Sequence, residues 1–158
     1  MISIRTASAA DAQRIFDFIV ELAVYEKAEH EVKTSVAELT ETLFGPAAKA
    51  RALICNVDGK PAGYAIYFYT FSTWLGKNGI WLEDVYIAPE HRGKGAGKAL
   101  LAHVAQIAVN EGCGRFEWSV LDWNTPSIEF YRSLGAKHME EWNIYRITGD
   151  ALRKLAAG

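Results

Sequence analysis

"PEHRGKGAGKALLAHVAQ", residues 89–106, sets three glycines at alternate positions, Gly93, Gly95 and Gly97, directly before a segment of helical apolar period. Glycines placed this way let the backbone turn where a side chain would forbid it, or come close to another group. The segment that follows carries Leu100, Leu101, Val104, Ile107 and Ala108 on one side, which predicts a helix near 96–110 stopped by Gly112 and Gly114. Upstream, "GIWLEDVYI" (79–87) reads as a strand closed by Ala88-Pro89. Strand, glycine turn and helix start aim several backbone N–H groups and the positive end of a helix dipole at one point. Arg92, Lys94 and Lys98 add positive charge nearby. A diphosphate suits such a corner; a solvated turn before a helix is the plain alternative.

Two nucleotide motifs fail on these residues. A P-loop needs GxxxxGK[ST], but Gly97-Lys98 is followed by Ala99, and the first glycine would fall on Arg92. The dinucleotide fingerprint GxGxxG starts at Gly93 and Gly95 and meets Lys98 where its third glycine belongs. The region before it is also rich in hairpins and lacks a complete βαβ unit.

The rest of the chain gives the frame. Its 158 residues, half of them hydrophobic and 23% charged, fit one globular domain over 1–158. A net charge of −2 lacks the electrostatic footprint of a nucleic-acid binder, so no nucleic-acid partner is expected. No run approaches 18 apolar residues and no basic start precedes an apolar core, so neither a membrane span nor a signal peptide is expected. Cys55 and Cys113 stand far apart outside any CxxC pair, and the four histidines share no ligand spacing. The expectation is a cytoplasmic protein without a disulfide framework or metal site.

"ISIRTA" alternates as a first strand. "SAAD" (8–11) has capping-box spacing before a helix carrying Ala12, Ile15, Phe16, Ile19, Leu22 and Ala23. A short helix is expected near 34–44, before Gly45-Pro46. "RALICNV", an Asp58-Gly59 turn and "PAGYAIYFYTF" read as a hairpin. Beyond the central helix come a strand "RFEWSVLDW" and a short helix "PSIEFYRSL", with Thr125 as N-cap and Pro126 at the first helical position. A last strand near "WNIYRIT" and a helical "DALRKLAA" close the chain. The order β-α-α-β-β-β-α-β-α-β, with hairpins and crossovers mixed, predicts an α+β three-layer domain.

"RGKGAG" (92–97) resembles the [QR]xxGx[GA] acyl-CoA pyrophosphate loop of the GCN5-related N-acetyltransferases. The likeness extends through "FSTWLGKNGIWLEDVYIAPEHRGKGAGK", "VLDWNTPSIEFYRSLGAK", "LAVYEKAEHEVKTS" and "GDALRKLAAG", in collinear order over nearly the whole chain. These segments are similar to the diamine (spermidine/spermine) and thialysine N-acetyltransferase branch. The resemblance implies the GNAT fold, a mixed central sheet flanked by helices. It also implies acetyl-CoA as donor, a small-molecule amine as acceptor, no metal, and a homodimer. It places Val85, Tyr86 and Ile87 along the pantetheine arm, like an added strand, with a backbone N–H there polarising the acetyl carbonyl. Arg92, Gly93, Lys94, Gly95, Ala96, Gly97 and Lys98 fall at the pyrophosphate, and Asn124, Pro126, Ser127 and Tyr131 on the cofactor side.

The chemistry asks for a neutral amine, a polarised carbonyl and an acid for the leaving thiolate. An alkyl ammonium of pKa ~10.4 must lose its proton before attack. By resemblance Glu83 is the base, directly or through water. Asp84 is the second candidate on the substrate side, although adjacent strand residues face opposite sides unless a bulge intervenes. Tyr131 matches the family's tyrosine beside the thioester sulfur, where a phenol of pKa ~10 can protonate a thiolate. Tyr25 and Glu26 resemble acceptor-side residues, with Glu21, Glu29 and Glu31 adding negative charge nearby. Trp74, Glu117, Trp118 and Ser119 are further candidates at the acceptor. Two readings compete with small-molecule transfer: acetylation of a protein lysine or N-terminus, and a non-catalytic acyl-CoA sensor. A covalent route through Cys55 or Cys113 would need a depressed thiol pKa, and neither has a neighbouring His in sequence.

Overall fold

The computed structural model describes residues 1–158, which form two compact units, Met1–Leu121 and Asp122–Gly158. The first unit is built on one five-stranded sheet in the order β1-β2-β3-β4-β5. These strands are β1 Ile2–Thr6, β2 Ala50–Val57, β3 Lys60–Ser72, β4 Lys77–Ile87 and β5 Arg115–Trp118. The first four pair antiparallel, and β5 joins β4 in parallel. A parallel neighbour needs a crossover, which the helix α3 (Ala96–Asn110) supplies. The sheet is therefore mixed, as expected.

Both faces of the sheet are covered. In β2, Ala52 and Ile54 are buried on one side and Leu53 and Cys55 on the other, as period-two alternation between two helical layers requires. One core cluster joins Ala52, Ile54, Tyr64, Ile66 and Tyr86 to Ile15 and Phe18 of α1 (Ala12–Tyr25) and Leu39 of α2 (Val36–Phe44). The buried side of α3, Leu100, Leu101, Val104 and Ala108, stands outside that cluster and packs chiefly against β4, and also against β1, β2 and β5. Burying each of the Leu, Ile, Val and Phe side chains contributes about 1.5–3 kcal/mol, which holds the three layers together.

Local signals account for most boundaries. The β2–β3 turn has Asp58 at φ +50° and Gly59 at φ +81°, the doubly left-handed pair that matches strand twist. Before α1, the Asp11 carboxylate accepts from the Ser8 N–H at 2.8 Å, and Arg5 clamps the same carboxylate at 2.6 and 2.8 Å. That pairing holds the Asp11 carboxyl down at about 2. Ser35 and Glu38 form the reciprocal box that starts α2.

The second unit holds α4 (Thr125–Ser133) and α5 (Gly149–Ala157). Three expectations change in the region after α3. β5 is only four residues long, so "SVLDW" lies outside it. The N-cap of α4 is Asn124 and not Thr125: the Asn124 side chain accepts from the Ser127 N–H at 3.4 Å, and Thr125 is already helical. "WNIYRIT" forms no strand, and Ile144 and Tyr145 are exposed. A strand is stable only where a neighbour pairs its N–H and C=O groups, and alternation alone supplies none. No helix of the chain is long and apolar enough to cross a membrane.

Candidate active site

The register of β4 against β3 decides the chemistry. Tyr67 pairs with Leu82 and Ile66 with Asp84, so two residues of β3 face three of β4 and Glu83 is the extra one. This is a β-bulge, and it breaks the alternation that would send Glu83 and Asp84 to opposite faces. Both carboxylates line one cavity of about 480 Å³, together with Glu26, Glu31, Lys33 and Thr34 and an apolar wall from α1. That volume is in the range of sites for small ligands.

Each carboxylate is held. The Trp81 indole N–H donates to Glu83 Oε2 at 3.1 Å. The Tyr64 hydroxyl donates to Asp84 Oδ2 at 2.9 Å, and the Tyr64 ring is fully buried and stacked on Phe18 at 6.0 Å. Burial raises the Asp84 carboxyl above the ordinary aspartate range; the charge of Glu83 adds to this and the Tyr64 bond opposes it. Burial raises Glu26 too, with Asp84 as the second cause. Tyr64 is pushed well up by burial and then by Asp84, so it stays a phenol and a donor. The cavity thus concentrates negative charge in a partly dry place, which favours a cation entering it.

Where β4 leaves β5, its edge opens. Only Gly79–Leu82 pair with Arg115–Trp118, while β3 pairs with β4 as far as Ile87. From Glu83 to Ile87 the backbone facing away from β3 has no strand partner, and this edge includes Val85, Tyr86 and Ile87. Such an edge accepts an extended chain that bonds to main-chain groups. Tyr86 is fixed to α1 by a 2.8 Å bond from its hydroxyl to Glu21 Oε2, and burial and that carboxylate push its phenol up to about 12.

The glycine corner follows at once. Gly93 has φ +72° and Gly95, the N-cap of α3, has φ +86°; a Cβ at either would meet nothing within 4 Å, so backbone conformation and not crowding demands glycine. A Cβ on Gly97 would touch only Ile87 Cγ1, at 3.8 Å. The first bond of the helix runs from the Ala99 N–H to the Gly95 carbonyl, so the N–H groups of Ala96, Gly97 and Lys98 point out of the helix start. A diphosphate can lie against them without meeting a side chain. The residues present therefore fit an acyl-CoA pyrophosphate and pantetheine.

Arg92 sits differently from the simple expectation of a cation at the anion. Its Nε donates to the Ile87 carbonyl at 2.7 Å, and its guanidinium lies 5.3 Å from the Tyr25 ring centre and 5.5 Å from that of Tyr86. It braces the corner against α1. Lys94 Nζ donates to the Glu90 carbonyl at 3.0 Å, which curls the loop. Lys98 is exposed on the first turn of α3.

The remaining candidates fall on several elements. Glu26 lines the cavity, whereas Tyr25 lies against Arg92. Trp74 is 79% exposed at the β3–β4 turn and does not line the cavity. Glu117 and Trp118 pair with Trp81 and Leu82, and Ser119 follows the end of β5. In the second unit Asn124 caps α4, Pro126 and Ser127 form its first turn, and the Tyr131 ring lies 5.7 Å from Phe130. Sequence reasoning missed Tyr64, Lys33 and Thr34. Tyr64 reads as an ordinary strand aromatic, and the other two follow an irregular turn where no periodicity marks them. Burial raises the thiols of both Cys55 and Cys113, the opposite of what an acyl-accepting cysteine needs.

Known proteins carry the same pattern. The profile of the Acetyltransferase (GNAT) family matches residues 14–136. A thialysine N-epsilon-acetyltransferase from Sus scrofa is 38% identical over 97% of this chain and 96% of its own length. An L-ornithine N5-acetyltransferase from Arabidopsis thaliana is 44% identical over 60% of this chain and 41% of its own. Among solved structures, an integron cassette protein from the mobile metagenome of V. cholerae superposes with a TM-score of 0.83 at 25% identity, covering 99% of this chain and 98% of that one.

Proposed function

We propose that this chain, which belongs to the acetyltransferase (GNAT) family, moves the acetyl group of acetyl-CoA to a primary amine of a small molecule by direct attack in a ternary complex. The acceptor class is a lysine-like amine, a diamine or a polyamine. The observation that carries the reading is the bulge at Glu83, which turns two carboxylates into one cavity beside the open edge of β4. The activities for which the two relatives are named, on thialysine and on ornithine, support a small amine as acceptor.

The residues divide the work as follows. Acetyl-CoA supplies the activated acyl group; the N–H groups of Ala96, Gly97 and Lys98 hold its pyrophosphate and the edge at Val85–Ile87 its pantetheine arm. A backbone N–H on that edge polarises the carbonyl. Glu83, oriented by Trp81, takes the proton from the acceptor ammonium, directly or through water. Asp84 and Glu26 hold positive charge on the acceptor. Tyr131, assigned from the sequence motif, returns a proton to the thiolate. We further propose a single catalytic domain, a cytoplasmic location and a homodimer without a nucleic-acid or membrane partner.

A panel of primary amines with acetyl-CoA, read by release of the CoA thiol, tests this. Turnover of lysine-like amines, diamines or polyamines with intersecting initial-rate lines is the expected result. Parallel lines or a trapped acetyl-cysteine would overturn direct transfer. A thermal shift with CoA and no turnover on any amine would favour the non-catalytic sensor.

A further inference from the structure

We propose that Lys33 is a specificity-determining residue that selects, by pairing with its α-carboxylate, an acceptor of the kind the relatives act on, an α-amino acid carrying a distal amine. The inference rests on the small-amine reading above and narrows it. Four carboxylates, Glu26, Glu31, Glu83 and Asp84, line the cavity, and Lys33 is the cation on the same lining. A lysine set among so many acids ordinarily pairs with one of them. Lys33 pairs with none: no carboxylate oxygen lies within 4.0 Å of its Nζ. The Glu31 carboxylate is engaged instead with His30 Nε2 at 3.3 Å. The lysine therefore neutralises nothing in the protein itself.

A plain diamine or polyamine offers the cavity only positive charge, and a lysine in the wall would repel it. An amino acid with a distal amine offers both signs. Its distal ammonium suits the carboxylates at the bulge, where Glu83 and Asp84 stand on β4. Its α-carboxylate suits an unpaired ammonium on another element, the chain that follows the turn at Glu29–Glu31. Lys33 is solvent-exposed, so the attraction is screened and amounts to selectivity more than tight binding.

The test compares matched acceptors with the full chain and acetyl-CoA: L-lysine against 1,5-diaminopentane, and L-ornithine against 1,4-diaminobutane. Each pair differs by the carboxylate alone. The expected result is a higher kcat/KM for the amino acid, lost through KM by about five- to tenfold in Lys33→Met, while the diamine, relieved of the like charge, binds as well or better. Lys33→Glu should reverse the preference. L-lysinamide, which keeps both amines and removes the negative charge, should already show the loss with the parent protein and show no further loss with Lys33→Met. Equal effects on both members of a pair, or none, would overturn the proposal while leaving small-amine transfer standing. A parent protein that turns over no member of either pair would overturn the proposal, and one that also turns over neither thialysine nor a polyamine would overturn small-amine transfer with it.

Discussion

The corner proposed for the donor and the cavity proposed for the acceptor both border β4 and are built from different materials. The corner is made of backbone: two left-handed glycines, the outward N–H groups of a helix start, and an unpaired strand edge. The cavity is made of side chains, with Glu83 and Asp84 brought together by a bulge and Asp84 held by a buried tyrosine. A backbone site recognises a group common to every acyl-CoA and tolerates changes at most of its side chains. A side-chain site can be rewritten one residue at a time, so discrimination among acceptors belongs there.

The sharpest way to break this comparison is Glu83→Gln. If the cavity supplies the base and the corner the donor's hold, kcat should fall by about 100-fold or more while acetyl-CoA binding by calorimetry stays within twofold. A comparable loss in acetyl-CoA affinity would show that the two regions are not separable.

Gly97→Ala probes the corner alone. The added Cβ meets only Ile87 at 3.8 Å, so the protein itself has room for it, and alanine favours helix over glycine by up to about 1 kcal/mol. The same methyl would stand where the pyrophosphate approaches. The melting temperature should hold or rise while KM for acetyl-CoA increases by roughly tenfold, the equivalent of about 1.4 kcal/mol. A fall in both stability and acetyl-CoA affinity would mean that Gly97 serves the fold.

Asp84→Asn sharpens the electrostatic half, with the smallest effect. Burial first, then Glu83, raises the Asp84 carboxyl, so the folded protein holds a proton there more tightly than the unfolded chain. Its contribution to stability is present below the ordinary aspartate pKa of ~3.9 and is lost as pH rises through the raised value. Asparagine never ionises and still offers an oxygen to the Tyr64 hydroxyl. The variant should melt a few degrees above the parent at neutral pH, a change of about 1 kcal/mol in a domain of this size. The gap should close toward pH 3, and KM for a dicationic acceptor should rise several-fold. A variant that melts lower at neutral pH would show that the ionised form is net stabilising.

Much of this molecule is legible along the chain because it is local. The glycines ahead of α3, the Asp58-Gly59 hairpin and the Ser35–Glu38 box act over a few residues, and their outcome follows from steric and hydrogen-bonding rules applied to neighbours. The loop proposed for acyl-CoA is legible for the same reason. The cap of α4 shows how narrow the margin is: Asn124 and Thr125 both suit an N-cap, and one helical residue decides between them.

What neighbours in sequence cannot settle is pairing at a distance. "WNIYRIT" alternates as well as any strand here and forms none, and β5 stops at Trp118 although the run of strand-forming residues continues. Alternation states that a segment can face two ways; only a partner strand makes it do so. From sequence, Glu83 and Asp84 are two acids in a row on opposite faces of a strand. They share a cavity because β3, closing through Tyr67 and Ile66, counts two residues against three. Lys33 joins them from a turn with no period to reveal it. The glycine corner was written in adjacent residues, and the carboxylate cavity arose only when strands and turn met, since a bulge is a property of two strands and of neither alone.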